Sequence, residues 1–490
     1  MSSTPEPAGS TASPDASRSG FERRIKLLPA TAINMTQMCG IGPFVTIPVM
    51  VTTMGGPQAM FGWIVGAIIA LADGLVWAEL GAAMPGSGGT YVYLREAFQY
   101  RTGRLMPFLF AWTAMLFIPL IMSTGVIGLV SYLGYLWPAL VDPAGTATPL
   151  GHIVGIAVTA LVVLLLYRKI GDIGRITTVF FFVMLVAMVA VILAAYTHFH
   201  AGLAFDYPAG AFHPFSGTFW TGLGGGLVIA IYDYLGYNTS AYLGAEVDNP
   251  GRTLPRSIIY AIIGIMALYL LLQVGVLGAV PWRQIAGSSS IASLVLANAW
   301  GSVAARIVTV LIVVTAFASV FAGLLGGSRV PFEAARDKLF LPWFGRLHPR
   351  LHFPHVALIV LGVITAVGSL FTLTTVINML TAVIVIVQSV AQIVALVVLR
   401  RRQPDLPRPY RQWLYPVPAI VALIGWVYIY KSDGTEEILL SLAWLVVGIV
   451  AFGVWARLER TWPFGPKEIR EQFRPAAIAS AAVGDGTSSR

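Results

Sequence analysis

Cys39-Gly40-Ile41-Gly42-Pro43-Phe44 interrupts the first apolar stretch of the chain, and Tyr232-Asp233-Tyr234-Leu235-Gly236-Tyr237-Asn238 interrupts another about 195 residues later. Inside a bilayer each backbone N–H and C=O group must be paired. A non-helical stretch is therefore tolerated only where protein, water or a ligand satisfies those groups. Two such breaks predict a substrate site near the membrane midplane.

The composition indicates an all-α integral membrane protein in contact with the lipid bilayer. Of its 490 residues, 57% are hydrophobic and only 11% are charged, whereas soluble domains carry about 25% charged residues. Apolar runs of roughly 20 residues predict transmembrane helices, and we expect twelve of them. Their centres are predicted near residues 42, 70, 120, 159, 186, 232, 268, 314, 363, 387, 421 and 447.

The net charge of +9 marks one side of the membrane and does not indicate a nucleic-acid partner. If the N-terminus is cytoplasmic, 28 of the 31 Lys and Arg residues fall in inner segments, leaving Arg283, Arg306 and Lys431 outside or near the outer interface. The positive-inside rule therefore predicts an even number of spans. We expect a multi-pass protein of the cell membrane with both termini cytoplasmic.

Three regions are predicted along the chain. Residues 1–25 are rich in Ser, Pro, Ala and Thr without a continuous apolar core, so we expect a disordered cytoplasmic tail. Residues 26–460 form the twelve-span transporter domain, and residues 461–490 form a cytoplasmic C-terminal tail. Cys39 is the only cysteine, which excludes an intramolecular disulfide and a multi-cysteine metal site. No metal and no cofactor is expected.

The positions of the breaks predict an inverted repeat. Each set of five spans opens with a broken helix, and because five is odd, the second set enters the membrane from the opposite side. The first repeat is expected at about residues 30–197 and the second at about 217–402. The two remaining helices, at about residues 412–458, are additions to the five-plus-five arrangement.

The first break offers groups that suit a zwitterion. The first span runs outward, so its outer half begins near Pro43 and directs the positive end of a helix dipole at the midplane. The free amides of Ile41, Gly42 and Phe44 suit a carboxylate. The carbonyl groups of Met38 and Cys39 suit an ammonium group.

The sixth span supplies the opposite face of the predicted site. Its outer half is expected to end near Ile231 and Tyr232, its inner half to begin near Asn238, and Tyr232 to act as a gate. The expected ligand is a small molecule that carries an amine. The predicted substrate-binding residues are Cys39, Gly40, Ile41, Gly42, Phe44, Ile231, Tyr232, Asp233, Tyr234, Gly236 and Asn238.

Two carboxylates lie deep in predicted spans. Asp73 is in the second span and Asp233 is in the sixth. Carboxylates at such depth usually face a cavity as proton carriers or counter-ions, so both are candidates for coupling transport to protons. The alternative is a protonated carboxyl group that bonds a neighbouring helix. Glu79 lies near the inner end of its span, where pairing with a loop is expected.

Other classes of function lack their sequence marks. None of the five lysines follows a glycine, so the Gly-Lys pair of a phosphate-binding loop is absent and ATP-driven transport by this chain is not expected. A membrane enzyme would need a nucleophile with a base, or a cluster of metal ligands, facing the cavity. An ion channel is distinguished by its conductance in planar bilayers.

Several motifs, in this order along most of the chain, resemble the amino acid-polyamine-organocation permeases. The segment Gly40–Phe44 resembles that family's glycine-x-glycine signature. The other matching segments are Ala78-Glu79-Leu80, Pro85–Tyr93, Glu246 with Asn249–Arg256, and Ala335-Arg336-Asp337 with Leu341-Pro342 and His348-Pro349.

The resemblance implies the LeuT-like inverted-repeat fold and secondary transport of amino acids or related amines. It also implies that the amides of Ile41 and Gly42 bind the substrate carboxylate and that Tyr232 gates the site from outside. We expect a proton-coupled amino acid permease that works by alternating access. The alternative is a polyamine or cationic amino acid transporter or exchanger in which Asp233 is the counter-ion.

Three positions depart from the family pattern. Ile41 stands where many members carry a hydroxyl residue, and Asp233 stands where the family generally has a neutral one. Met184 lies near the position in the fifth span where many members carry a lysine in place of a sodium ion. No lysine lies in a predicted membrane core, so coupling must use another group or the protein is an exchanger.

Overall fold

The structure, a computed structural model, describes residues 23, 25–86, 88–143, 145–167, 173–212, 217–349 and 353–460. The predicted tails, residues 1–25 and 461–490, lie outside this part of the chain except for Arg23 and Ile25. Within the described ranges, helices joined by turns account for the regular structure and no strand is present. Two isolated β-bridges occur, of which one joins Ile25 to Val247. The predicted all-helical class is confirmed.

Twenty α-helices follow one another along the described chain. The first ten are α1 Leu27–Met38, α2 Gly42–Met54, α3 Ala59–Ala83, α4 Thr90–Thr102, α5 Leu105–Leu136, α6 Pro149–Leu166, α7 Ile173–Thr197, α8 Ala201–Ala204, α9 Gly217–Tyr234 and α10 Thr239–Tyr242. The next ten are α11 Pro250–Ala279, α12 Trp282–Ala286, α13 Ile291–Trp300, α14 Ser302–Gly327, α15 Arg329–Arg336, α16 His355–Gly368, α17 Leu373–Ile384, α18 Ala391–Arg402, α19 Val417–Ser432 and α20 Thr435–Leu458. A π-helical turn, Val385–Val390, joins α17 to α18.

Eight membrane-length segments in the described chain are apolar enough to cross a bilayer, and α1 with α2 makes a ninth if the bent pair counts as one span. This confirms an integral membrane protein. Helices also occur at the other predicted centres, but α16 and α19 are shorter than a full span. Helix α9 ends at the break of the predicted sixth span, which we call the sixth break. The count of twelve spans and the inverted repeat therefore stay predictions.

Helices α3 and α5 form the centre of the molecule. In each, 72% of the most apolar window is buried by the rest of the protein, whereas in α20 the share is 22%. Small residues allow the close packing around α3, since a Cβ atom added to Gly66 would lie 2.8 Å from Cβ of Ala230 on α9. The exposed apolar side chains of α20 suit a helix that faces lipid, because lipid tails are as apolar as the side chains themselves.

Hydrogen bonds of Glu79 connect α3 to α18 and to the loop that follows α18. Its carboxylate is buried and accepts two hydrogen bonds from Arg400 and one from the backbone N–H of Gln412, which lies 2.8 Å away. Arg408 approaches to 3.6 Å. Burial lowers the pKa of the Arg408 guanidinium, and the nearby Glu79 opposes that shift. Glu79 therefore has the loop-pairing contacts that its position near the end of the span predicted.

Candidate substrate site at the two helix breaks

The first break is a bend of 47° between α1 and α2. Helix α1 ends at Met38, and α2 begins at Gly42 with Pro43 in its first turn. Proline suits this place because its fixed φ matches the helix and its missing N–H has no partner there. Cys39, Gly40 and Ile41 connect the halves and are all buried. The N-terminal end of α2 therefore opens into the protein interior.

The sixth break lies between α9, which ends at Tyr234, and α10, which begins at Thr239 with Asn238 at its N-cap. Helix α9 thus runs about two residues further than the end predicted near Tyr232, and α10 is a single turn. Gly236 has a φ of +115°, which residues with a Cβ atom rarely adopt. A side chain there would also collide with α1, since its Cβ would lie 2.7 Å from Cγ of Gln37.

Helix α1 is hydrogen-bonded to the segment after the sixth break. Asn34 on α1 accepts a hydrogen bond of 2.7 Å from the backbone N–H of Ser240, and its amide donates to the Ser240 hydroxyl at 3.1 Å. Further down, Ile25 donates to the carbonyl of Glu246 and accepts from Asp248. The two broken spans therefore lie against each other at their breaks, and the chain before the first break also contacts the chain after the sixth.

Asp233 places its carboxyl group at the N-terminal end of α2. An ideal Cβ on Gly42 would lie only 2.1 Å from one carboxyl oxygen of Asp233. The other oxygen lies 2.5 Å from the hydroxyl of Thr46, which is also 3.0 Å from the carbonyl oxygen of Gly42. The first oxygen is buried and has no hydrogen-bond partner among the described residues. The carboxyl group thus fills the space that the absent Gly42 side chain leaves.

Tyr269 on α11 contacts the ends of both broken helices. Its hydroxyl donates to the carbonyl of Met38 at 2.7 Å and lies 3.1 Å from the carbonyl oxygen of Asp233. The Met38 carbonyl, which the sequence offered to a ligand ammonium group, therefore already has a donor from the protein. The side chain of Cys39 lies beside the same hydroxyl.

Two tyrosine hydroxyl groups lie beside the broken spans, next to α5. The hydroxyl of Tyr232, the predicted gate, lies 2.7 Å from that of Thr124 on α5. The hydroxyl of Tyr132, also on α5, donates to the carbonyl of Phe44 and accepts from the backbone N–H of Ala292 at the start of α13. These bonds join α9 to α5, and α2 to α5 and α13.

The other predicted site residues occupy different surroundings. Asp73 on α3 accepts a hydrogen bond of 2.6 Å from Tyr237, so it contacts the sixth break near its C-terminal end and not beside Gly42. Tyr234 points toward α3 and donates to the carbonyl of Trp63. Ile231 is fully buried within α9. Tyr234 therefore packs against the helix bundle instead of facing the first break.

A cavity adjoins Gly40 in the first break. Residues of α1, α7 and α14 line it. Among them is Met184, which lies near the position where many permeases of the resembled family carry a lysine. The hydroxyl of Ser319 is close to the first break, 2.9 Å from an ideal Cβ on Gly40. The lining residues are Thr36, Gly40, Phe180, Met184, Thr315, Ala318, Ser319, Phe321, Ala322 and Leu325.

Sequence reasoning missed several hydroxyl groups at this site, among them those of Thr46, Thr124 and Tyr269. Thr46 follows Gly42 by one helical turn and therefore shares its face of α2, a spacing that could have identified it. Thr124 and Tyr269 lie far along the chain from both breaks. Each is one of several hydroxyl residues in a long apolar helix, and nothing in the neighbouring sequence distinguishes it from a residue that only packs.

The comparison with known proteins decides the family. A model of the amino acid permease family matches residues 25–456. The chain belongs to this amino acid permease family. The permease is 27% identical over 456 residues to a branched-chain amino acid permease of Bacillus subtilis, covering 89% of this chain and 94% of the relative. It is 24% identical over 454 residues to a serine/threonine exchanger of the same organism, covering 90% and 98%.

A third relative is similar over part of its length. It is an aspartate-proton symporter of Bacillus subtilis, 28% identical over 267 residues, which cover 53% of this permease and 49% of the relative. The family match and the apolar helices identify a multi-pass membrane transporter and not an enzyme. The predicted membership of the wider amino acid-polyamine-organocation group is confirmed.

Proposed function

We propose that this permease is a secondary active amino acid transporter that works by alternating access and takes up a proton at Asp233 with each amino acid. The observation that carries the proposal is the carboxyl group of Asp233, which lies against Gly42 at the N-terminal end of α2. The names of the full-length relatives support an amino acid as the substrate.

The end of α2 favours negative charge. The amide of Gly42 has no partner within the helix, and the helix dipole adds positive potential there. The amide of Phe44, predicted from the sequence to be free, instead donates to the carbonyl of Ile41 at 3.1 Å. A substrate carboxylate bound at Ile41 and Gly42 would therefore lie next to the carboxyl group of Asp233. Two ionised carboxylates about 4 Å apart repel each other by about 4 kcal/mol at the effective dielectric constant of a protein. Binding of the substrate carboxylate thus favours the protonated form of Asp233.

Thr46 suits both protonation states of Asp233. A hydroxyl group has one proton to donate and also accepts. When Asp233 is ionised, Thr46 donates to it across the distance of 2.5 Å. When Asp233 is protonated, the acid can donate to Thr46, which then donates to the carbonyl of Gly42 at 3.0 Å. Asp233 can therefore gain and lose a proton while the buried hydroxyl group of Thr46 keeps a hydrogen-bond partner in both states.

The contacts between the broken spans support alternating access. Inward of the breaks, α1 is bonded to the segment that follows the sixth break through Asn34 and Ser240. Outward of them, Tyr232 and Tyr132 bond to α5 and to the start of α13. We propose that breaking the outer bonds opens the site to the outside, while the first and sixth spans move together against the remaining helices.

We also propose the membrane arrangement that the sequence predicts. It comprises twelve spans in residues 26–460, two inverted repeats at about 30–197 and 217–402, and extra helices at about 412–458. Both termini are cytoplasmic in the cell membrane. The one-sided distribution of Lys and Arg supports this orientation.

A second candidate function follows from the same residue. One oxygen of Asp233 is buried and has no partner among the described residues, and an ionised carboxylate there would pair with the ammonium group of a cationic amino acid or a polyamine. Substitution Asp233→Asn separates the candidates. Loss of accumulation driven by a pH gradient, with exchange retained, supports proton coupling. Selective loss of cationic substrates supports the counter-ion.

The proposed activity is tested with purified protein in liposomes. Uptake of radiolabelled neutral, cationic and acidic amino acids and of putrescine is measured with and without an inside-alkaline pH gradient. We expect at least one amino acid to accumulate only when the gradient is present. Indifference to the whole panel would contradict the proposal.

A further inference from the structure

The hydroxyl group of Tyr269 is placed where the two broken spans meet. Helix α1 ends at Met38 and α9 ends one residue after Asp233, so the carbonyls of both residues lack partners within their own helices. Tyr269 comes from a third helix, α11, and lies 2.7 and 3.1 Å from these two carbonyl oxygens. Among the described residues, no other hydrogen bond to either oxygen is present.

We propose that Tyr269 is a positioning residue that holds the two breaks at a fixed separation and so keeps the substrate-binding groups in register. Unpaired carbonyls in a dry interior are costly. One hydroxyl group that lies between two such carbonyls stabilises the arrangement in which both breaks approach α11. Without it, each break is free to move toward another donor.

The ring of Tyr269 is itself held in place. It packs edge-on against Trp63 on α3 with ring centres 5.0 Å apart, and against Tyr234 at 5.6 Å. The indole N–H of Trp63 donates to Gln273, one turn further along α11. Tyr269 is 1% exposed. The hydroxyl group is therefore presented by a rigid aromatic cluster, which is what a fixed separation between the breaks requires.

The single proton of the hydroxyl sets a limit on this contact. It can donate fully to only one of the two carbonyls at a time, and the shorter distance favours Met38. The carbonyl of Asp233 thus keeps acceptor capacity that a ligand donor can use. Deletion of the hydroxyl group leaves both carbonyls without a protein donor and affects the two breaks together.

Cys39 provides a readout that needs no substrate. It is the only cysteine of the chain, it is fully buried, and it directly follows Met38 in the first break. Its rate of alkylation by a membrane-permeant maleimide therefore reports how often this break opens. The variant Tyr269→Phe keeps the ring and removes the hydroxyl. The matched control is Tyr430→Phe, which removes a hydroxyl bonded to Ser441 between α19 and α20, two helices that contain neither break.

We expect Tyr269→Phe to label at Cys39 about two- to tenfold faster than the wild type, the factor that corresponds to one net hydrogen bond. We also expect its KM for the transported amino acid to rise by a similar factor while the maximal rate stays within twofold. Tyr430→Phe should match the wild type in both assays. Labelling is measured in native membranes, so the assay does not require the variant protein to remain folded during purification.

An unchanged labelling rate, or an unchanged KM, in Tyr269→Phe would overturn the proposal. A fall in maximal rate alone, in proportion to the amount of folded protein, would also overturn it, because it would indicate a packing role only. The KM arm rests on the proposed function, whereas the labelling arm does not. A wild-type protein that transports no amino acid therefore contradicts the proposed function and still leaves labelling to test Tyr269.

Discussion

The substitution Gly42→Ala tests whether Asp233 really fills the end of α2. The new Cβ would lie 2.1 Å from one carboxyl oxygen of Asp233 and 3.2 Å from its Cγ, whereas ordinary contact begins at 3.4 Å. The carboxyl group would have to retreat by about 1.3 Å, the difference between 3.4 and 2.1 Å. Asp233 is 2% exposed and is held by Thr46, so it has little room to do so.

The magnitude follows from the cost of overpacking. Inserting a methyl group into a tight core costs about 1–3 kcal/mol, which corresponds to about a 5- to 150-fold loss of substrate affinity if the cost falls on the bound state. Asp233→Asn has nearly the same shape as the native residue, so it should not relieve the clash when combined with Gly42→Ala. The smaller Asp233→Ala should relieve it.

The assay is amino acid uptake into liposomes at a range of substrate concentrations, with thermal unfolding measured on the same preparations. The matched control is Gly326→Ala in α14, where an added Cβ meets nothing within 4 Å. We expect a raised KM for Gly42→Ala and wild-type behaviour for Gly326→Ala. A KM for Gly42→Ala within twofold of the wild type would refute the placement of Asp233 against α2.

Three further predictions concern the neighbouring contacts. Thr46→Val should displace the pH dependence of uptake relative to the wild type, because Asp233 loses its hydroxyl partner, and Thr46→Ser should restore it; superimposable pH profiles for all three proteins would argue against a role for Thr46. Glu79→Gln should lower the free energy of unfolding by about 1–3 kcal/mol, because it removes the buried carboxylate that pairs with Arg400 and accepts from Gln412, whereas Glu333→Gln, which breaks the exposed pair with Arg336, should change it by less than about 1 kcal/mol; equal melting shifts would contradict this. Asp73→Asn should retain accumulation driven by a pH gradient, since Asp73 bonds Tyr237 and not the end of α2; loss of that accumulation would indicate that Asp73 carries the coupled proton.

The breaks themselves were predictable because their chemistry is local. Glycine and proline interrupt an apolar run at Gly40–Pro43, and a bilayer imposes a high cost on unpaired backbone. The helix ends fall within about two residues of the expected positions, and α9 overshoots because Tyr232 and Asp233 continue its hydrogen bonds before Gly236 turns the chain. The composition was likewise sufficient for the all-helical membrane class.

The contacts between the breaks were not predictable because they join distant parts of the chain. The sequence marks Asp233 as an unusual residue, but its approach to Gly42 depends on how α2 and α9 pack. Tyr234 was placed at the site by its neighbours in sequence, yet it faces α3 because successive residues of a helix point about 100° apart. The contact of Tyr269 with both breaks depends on where α11 packs, and no motif in α11 predicts that position.

The proton stoichiometry of transport tests the central claim most directly. Purified protein in liposomes that contain a pH-sensitive dye is supplied with the transported amino acid while substrate entry and internal acidification are recorded together. We predict one proton for each amino acid in the wild type and none in Asp233→Asn, which should still exchange substrate. Equal proton entry in both proteins, or amino acid entry without protons in the wild type, would contradict a proton carried by Asp233 at the end of α2.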